Sequence, residues 1–469
     1  MKRWPLIIVL ALTVLWAAYF SWFTIGRHAK TNSARFDLGN MEQVIWNTSQ
    51  GRFFTMTDPY GTTQVSRLSF HADFFLLALV PFYAVIPRTE TLLLLQVLAV
   101  VSGAVAVWLI AKKWFSSPWW GVGWVVVYLI NPGLQWSVIF DLHAITFAVP
   151  LILWTLWAAL NKRWILMVVL GLLVAITKEQ SALLLIPFVV WLWKPHRQLA
   201  LIWLAGILAW TAIILLVVLP LSQPQSVNHQ EIYQTPFGST AIEIIKSSVS
   251  HPLTFIKTGL AKQNLIYGWQ LSAPYGLLNW ASPWTLGAGP DYLINALSLK
   301  PAQHLIYSHY TSGLTPWLII GAMASAVWII KRWPRRLIIG GLGSWIIIWA
   351  GVSAWAFGPL PGAKHDHTKV VRWRNVYAAS IMEWAKIIPP SARISVTNNV
   401  GSHFARREYL YSFPLGVEPA EYIVVLEDHA TPVVATQAEV SAAINKLRTD
   451  QAWEILAQQN DLTVLKRRP

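Results

Sequence analysis

The sequence predicts an α-helical integral membrane protein. It would have about nine to eleven transmembrane helices, by the roughly 20-residue length of a span, and end in a small α/β domain. Three observations predict this. Of 469 residues, 55% are hydrophobic and only 12% charged, with mean hydropathy +0.46, whereas a soluble domain carries about 25% charged residues. Apolar runs of about 20 residues, enough to cross a hydrocarbon core, recur as far as residue 357. Beyond residue 358 the runs shorten and charges return. The 29 Trp suit many membrane interfaces and exceed what anchoring needs, so some are expected to line a pocket.

The chain opens with Met1-Lys2-Arg3 and an apolar run to about Tyr19. Trp16-Ala17-Ala18-Tyr19-Phe20 is a poor cleavage site, so the run is read as an uncleaved span at 5–25. Further spans are expected at 91–111, 118–134, 141–160, 164–177, 180–193, 199–220, 313–331 and 336–357. The basic clusters Lys2-Arg3, Lys112-Lys113, Lys162-Arg163, Lys194 with Arg197, and Lys331-Arg332 with Arg335-Arg336 all fall inside if the N-terminus is cytoplasmic, as the positive-inside rule asks. That map requires segment 72–87, with Pro81 and Pro87, to dip in or pack around the bundle instead of crossing. The pair 164–177 and 180–193 is short for full spans, which leaves Lys178-Glu179 recessed in the membrane's outer half. Segment 222–312 is mixed. Its stretch 252–298 is apolar enough for a helical hairpin broken near Pro274 and Pro283.

The transmembrane domain is therefore placed at 1–357, with outer segments 26–90 and 222–312, and the extracytoplasmic domain at 358–469. In the latter, β-branched runs bounded by Pro, Asn and Asp predict strands at 393–398, 421–427 and 462–467, with helices at 374–388 and 436–449.

Net charge is +15, which in a soluble protein would suggest nucleic acid. Here the basic residues sit in short loops beside apolar spans, so they read as topology signals in contact with anionic headgroups, and no nucleic-acid partner is expected. Zero Cys excludes disulfides, thiolate metal sites and a Cys nucleophile. The chain has no Walker loop, dinucleotide Gly-rich turn, HExxH or Gly-x-Ser-x-Gly, which argues against an ATP-driven pump, an oxidoreductase, a zinc protease and an α/β-hydrolase.

The polar motifs gather on the outer side of this map. Asp37, Asn40, Gln43, Asn47 and Gln50 recur at helical spacing and predict an amphipathic helix at the membrane surface, with Asp37 either a functional carboxylate or a simple N-cap. Asp141 and His143 stand at a helix entrance, where they could bind a metal or share a proton, or act as a cap and an interfacial His. Lys178-Glu179 lies between two apolar helices, where charges are costly and suggest function; an ion pair is the structural alternative. Lys178 could bind phosphate as a point charge, with Glu179 orienting it. His71-Ala72-Asp73, Arg67 and His309-Tyr310 complete the outer set. His365-Asp366-His367 reads as a solvated linker, since short His clusters are compositional hints.

On Phe36-Asp37-Leu38-Gly39 with Gln43 and Trp46, His71 with Pro81 and Gln96, Asn131-Pro132 through Phe140-Asp141-Leu142-His143, Thr177-Lys178-Glu179, His309-Tyr310 before Pro316, and Ile388-Pro389-Pro390 through Ser412-Phe413-Pro414, the chain resembles a family of bacterial multi-pass membrane proteins of unassigned function. That family looks distantly related to the GT-C membrane glycosyltransferases, which use lipid-phosphate-linked sugars. The resemblance implies a GT-C-like bundle and sugar transfer from a polyprenyl-phosphate-linked donor to a cell-envelope acceptor at the outer face of the plasma membrane. Asp37 occupies the place of the catalytic acidic residue in the first outer loop. Asp141 and Glu179 join it as catalytic candidates. Arg67, His71, His143, Lys178, His309, Tyr310 and Gln43 are the substrate-binding candidates, with a divalent cation as a conceivable cofactor. Where the family pattern suggests Lys-Glu-Asp, this chain has Gln180. A transporter or flippase predicts charges on both halves of the crossing and repeat symmetry; a non-catalytic scaffold would use Lys178-Glu179 as an ion pair.

Overall fold

Each of the nine expected spans coincides with a helix or a helix pair in the computed structural model, which describes residues 3–222, 234–238, 240–372, 375–427 and 433–469. Trp4–Ala29, Thr89–Trp114, Arg197–Ser222 and Arg336–Phe357 are long and apolar enough to cross a membrane. Pro118–Leu129 and Pro132–Ile139 form a fifth such unit, bent by 50°. The bend lies at Asn131-Pro132 because proline supplies no backbone N–H and disfavours helix in the residue before it. The Asn131 side chain then caps the second half by accepting from Leu134 N at 3.0 Å. Ala144–Leu160, Trp164–Ala175 and Ser181–Leu192 are shorter; twelve residues cover only ~18 Å.

Leu76–Val85 has 10 residues, ~15 Å of helix, half of a hydrocarbon core, which fits a segment that does not cross. The hairpin expected at 252–298 is replaced by short pieces, Pro252–Gly259, Lys262–Ser272, three 3₁₀ turns and Gly289–Leu297, none long enough to cross. Pro274 is the second residue of one of those turns and Pro283 the first of another, and Leu277 adopts a left-handed conformation between them. Residues 223–233 and 239 of the outer segment 222–312 lie outside the described residues.

The bundle core packs Trp4–Ala29 on Thr89–Trp114 and Pro118–Leu129, and Ala148–Leu160 between Thr89–Trp114 and Trp164–Ala175. Trp124, Tyr128, Trp317 and Phe188 are fully buried there. A second core joins the first loop to the bundle through Leu38, Val44, Ile45, Leu76, Tyr83, Leu92 and Leu142. The helix Asn40–Ser49 is thus not an amphipathic helix on the membrane surface. Its residues 40–45 are all buried, with the apolar face on Leu76–Val85, Gln43 bonded to the C-terminal domain, and Asn40 and Asn47 bonded within the first loop.

That domain holds a five-stranded sheet. After the hairpin strands β1 (Thr55–Thr57) and β2 (Gln64–Ser66) of the first loop come β3 (Ile394–Val396), β4 (Leu410–Ser412), β5 (Tyr422–Leu426), β6 (Trp453–Gln459) and β7 (Leu462–Arg467). The order is β4-β3-β5-β7-β6. β3 is parallel to β4 and β5, while β7 is antiparallel to β5 and β6. Alternation along β5 sends Val424 and Leu426 into one core and Ile423 and Val425 into the other, so the sheet is covered on both faces. The expected strands and both helices are present as Ala378–Ile387, β3, β5, Gln437–Thr449 and β7. β4 and β6 were not expected.

Candidate active site

The first loop delivers Asp37 on a π-helical turn, Arg35–Gly39, closed by Gly39 N donating to Ala34 O at 3.0 Å. The side chain of Asp37 caps neither this turn nor the helix after it, so its carboxylate is left available and a third exposed. Asp141 braces the loop. Its Oδ1 accepts from Arg27 at 2.5 Å and its Oδ2 from Ala34 N at 2.9 Å.

His143 stands between these carboxyl-bearing segments. Nε2 lies 3.4 Å from Asp37 Oδ1 and Nδ1 3.0 Å from the Asp141 carbonyl oxygen. With Nδ1–H donating to that carbonyl, a hydrogen bond to Asp37 requires a proton on Nε2 or on the carboxyl. The ring is held by stacking on His309, centroids 3.5 Å apart at 10°, with Phe140 against both.

The facing wall comes from the break between Trp164–Ala175 and Ser181–Leu192. Ser181 N donates to Lys178 O and Thr177 Oγ1 donates to Ser181 Oγ, forming a tight turn. Glu179 is buried and holds the first outer segment, with Oε1 3.0 Å from His71 Nδ1 and Oε2 accepting from Ala72 N at 3.2 Å. Burial holds the His71 imidazole below its ordinary pKa, against the opposing pull of Glu179. The Lys178 ammonium makes no hydrogen bond or ion pair among the described residues. Arg67 is occupied by Asp73 in a two-pronged pair, 2.8–3.1 Å.

These groups enclose one cavity of about 460 Å³, within the usual range for a ligand site. Asp37, Arg67, His71, His143, Lys178, His309 and Tyr310 all line it. Three expected site residues do not. Asp141 is spent on Arg27 and the loop backbone; Glu179 stands behind His71. Gln43 donates to the carbonyls of Arg407 and Glu408 at 3.2 and 2.9 Å and to Thr57, so it joins the first loop to the small domain. Sequence reading missed Asp291, Asn295 and Gln303, which form a polar wall of the same cavity. Asp291 is buried and accepts from Gln180 Nε2 at 3.1 Å. Gly313 packs so close to its carboxylate that a Cβ there would collide. The available signal was that Asp291 is the sole acidic residue in 252–298. His365 and His367 separate, one to Tyr307 and the other to Trp136 and Phe23.

Among the described residues no three His, Asp or Glu side chains converge with metal-ligand spacing. Asp37 and His143 offer two donors. Mg²⁺ sites often use one or two carboxylates and fill the remainder with water and substrate phosphate, so this donor pair fits a cation that the substrate completes.

Comparison with known proteins places the geometry in context. The family model described as "Predicted membrane protein (DUF2079)" matches residues 27–464. No curated protein matches the chain in sequence. Among solved structures, ArnT from Cupriavidus metallidurans bound to undecaprenyl phosphate superposes with a TM-score of 0.55 at 11% identity, over 99% of this chain and 98% of that one. Its apo state gives 0.53 at 12% identity, with the same coverage. The arabinofuranosyltransferase AftD from Mycobacteria gives 0.52 at 11% identity, over all of this chain and 40% of the larger protein. These likenesses show a GT-C membrane glycosyltransferase fold.

Proposed function

The chain belongs to the DUF2079 family of predicted membrane proteins, and on that premise we propose that it is a glycosyltransferase. It moves a sugar from a polyprenyl-phosphate-linked donor to a cell-envelope acceptor at the outer face of the plasma membrane. The N-terminus is then cytoplasmic, and the small domain lies outside. The observation that carries this reading is that Asp37, from the first loop, and Lys178, without an ion-pair partner among the described residues, line the same cavity.

In this scheme the Asp37 carboxylate takes the proton from the acceptor hydroxyl. The acceptor oxygen bonds to the anomeric carbon. The bond from that carbon to the phosphate oxygen breaks with its electron pair, and polyprenyl phosphate departs. Lys178 meets the charge on the leaving phosphate, and Glu179 fixes His71 in the wall beside it. Such compensation is strongest in a site shielded from water. His143 stands against Asp37 and orients it. A divalent cation, if bound, would sit on Asp37 and His143 and act as a Lewis acid toward the acceptor oxygen. Asp141 acts through the loop it braces.

The same fold occurs in a protein bound to undecaprenyl phosphate and in an arabinofuranosyltransferase, each with 11% identity. The test separates binding from turnover. Purified wild-type protein binds polyprenyl phosphate and transfers sugar from its glycosylated form; Lys178→Gln weakens binding, whereas Asp37→Asn keeps binding and loses turnover. Wild-type protein that binds the lipid but never transfers sugar supports a flippase instead.

A further inference from the structure

The turn that carries Asp37 is held at both ends by different parts of the chain. The first amides of any helical turn lack partners within it. Ala34 N is met by Asp141 Oδ2 from the bundle at 2.9 Å. Phe36 N is met by Asn398 Oδ1 from the small domain at 3.1 Å. Between them Arg35 is fully buried, donating to Leu410 O at 2.5 Å and to Asn40 Oδ1 at 3.4 Å. Burial draws its guanidinium down to about 9, against the pull of Asp58, so it remains charged at neutral pH. Ser402 Oγ donates to Ser33 O at 3.2 Å. The backbones meet tightly: a Cβ on Gly401 would lie 2.6 Å from Arg35 Cβ, and one on Gly39 would lie 3.4 Å from Ser402 Cα.

We propose that the C-terminal domain is a working part of the site, with Asn398 as a positioning residue that sets the Asp37 turn against His143. The residues at the end of β3, Thr397 and Asn398, are where a parallel sheet of this kind commonly offers a ligand crevice; here the first loop docks against them. Movement or loss of the small domain therefore releases the Asp37 turn while leaving the Lys178 wall intact. The catalytic part of this inference rests on the glycosyltransferase reading; the structural part does not.

The experiment uses full-length protein in lipid nanodiscs, comparing wild type with Asn398→Ala, Asn398→Asp and the milder Ser402→Ala. Hydrogen–deuterium exchange over 34–40 is read beside initial-rate kinetics. One backbone hydrogen bond of this kind is worth about tenfold in local opening, so Asn398→Ala is expected to speed exchange in 34–40 about tenfold and leave Thr89–Trp114 unchanged. It lowers kcat and spares KM for the lipid donor. Asn398→Asp, which keeps the acceptor, restores both. Ser402→Ala shows the same pattern more weakly and stands in if Asn398→Ala does not fold. Wild-type exchange over 34–40 in Asn398→Ala, or in Ser402→Ala where that variant stands in, overturns the proposal. Faster exchange in a protein without transferase activity upholds the coupling and removes only the glycosyltransferase reading.

Discussion

His143 and Asp37 stand 3.4 Å apart, and the far nitrogen of the same imidazole rests 3.0 Å from the Asp141 carbonyl. A neutral imidazole that donates through Nδ1 presents only a lone pair at Nε2. The ring is thus fixed beside the part-exposed Asp37 carboxylate, which a substrate hydroxyl in the cavity can reach.

Removing the imidazole leaves the carboxylate with less orientation. Groups behind a reacting residue typically matter by 10- to 100-fold, so His143→Gln is expected to lower kcat by about that factor. KM for the lipid donor should change little. Wild-type kcat in His143→Gln would mean that the pair plays no part in turnover.

Lys178 is expected to act on donor affinity. A hydrogen bond to a charged group is worth roughly 1.5–3 kcal/mol, so Lys178→Gln should raise KM for the polyprenyl-phosphate donor by about 10- to 100-fold. Lys178→Arg, which keeps the charge, should recover part of it. Titration with unglycosylated polyprenyl phosphate checks the same point without turnover.

The Arg27–Asp141 pair is structural in this account. Asp141 is 1% exposed at its side chain and Arg27 15%. Breaking a buried pair from one side strands a charge and costs about 3–5 kcal/mol, so Arg27→Ala should sharply lower the thermal midpoint in detergent. Arg27→Met with Asp141→Asn should recover part of the loss. Equal midpoints for wild type and Arg27→Ala would remove Asp141 from the role of brace.

Glu42 supplies a pH signature of the first loop. Its carboxyl is fully buried, accepting from Tyr83 and Thr89 at 2.7 Å each. Burial raises its pKa to about 7 from 4.5, with both hydrogen bonds opposing. Because the folded value is the higher one, the folded protein holds the extra proton between those pH values, and stability falls as pH rises across that window. The loss is of order 3 kcal/mol at most. Relative to wild type, Glu42→Gln should therefore gain in thermal midpoint from pH 5 to pH 8; a constant difference would contradict it.

The local parts of this molecule were legible in the sequence and the distant pairings were not. Apolar runs located helices at the nine expected positions, of which four or five are long and apolar enough to cross, because membrane burial acts on each segment separately. β5 and β7 were legible from their β-branched runs. β4 escaped because it has three residues, and β6 because Trp453–Gln459 is largely polar and exposed. Asp37, His143, Lys178 and His309 were marked by charge or imidazole beside apolar helices, and the cavity brings them together. Gln43 carried the same local signal as Asn40, yet its partners lie 364 and 365 residues away. Asp291 was hidden by the hairpin expectation, which treated its surroundings as membrane-crossing.

The most direct test of the central claim is the mass balance of one turnover. Purified wild-type protein is given polyprenyl-phosphate-linked sugars and a cell-envelope acceptor fraction, with and without a divalent cation, and both products are quantified by mass spectrometry. The account predicts free polyprenyl phosphate and glycosylated acceptor in equal amounts. It also predicts a loss of 10²–10⁴-fold in Asp37→Asn, the usual span for a general base. Equal turnover by wild type and Asp37→Asn, or folded wild-type protein that yields neither product across the donor panel, would contradict it.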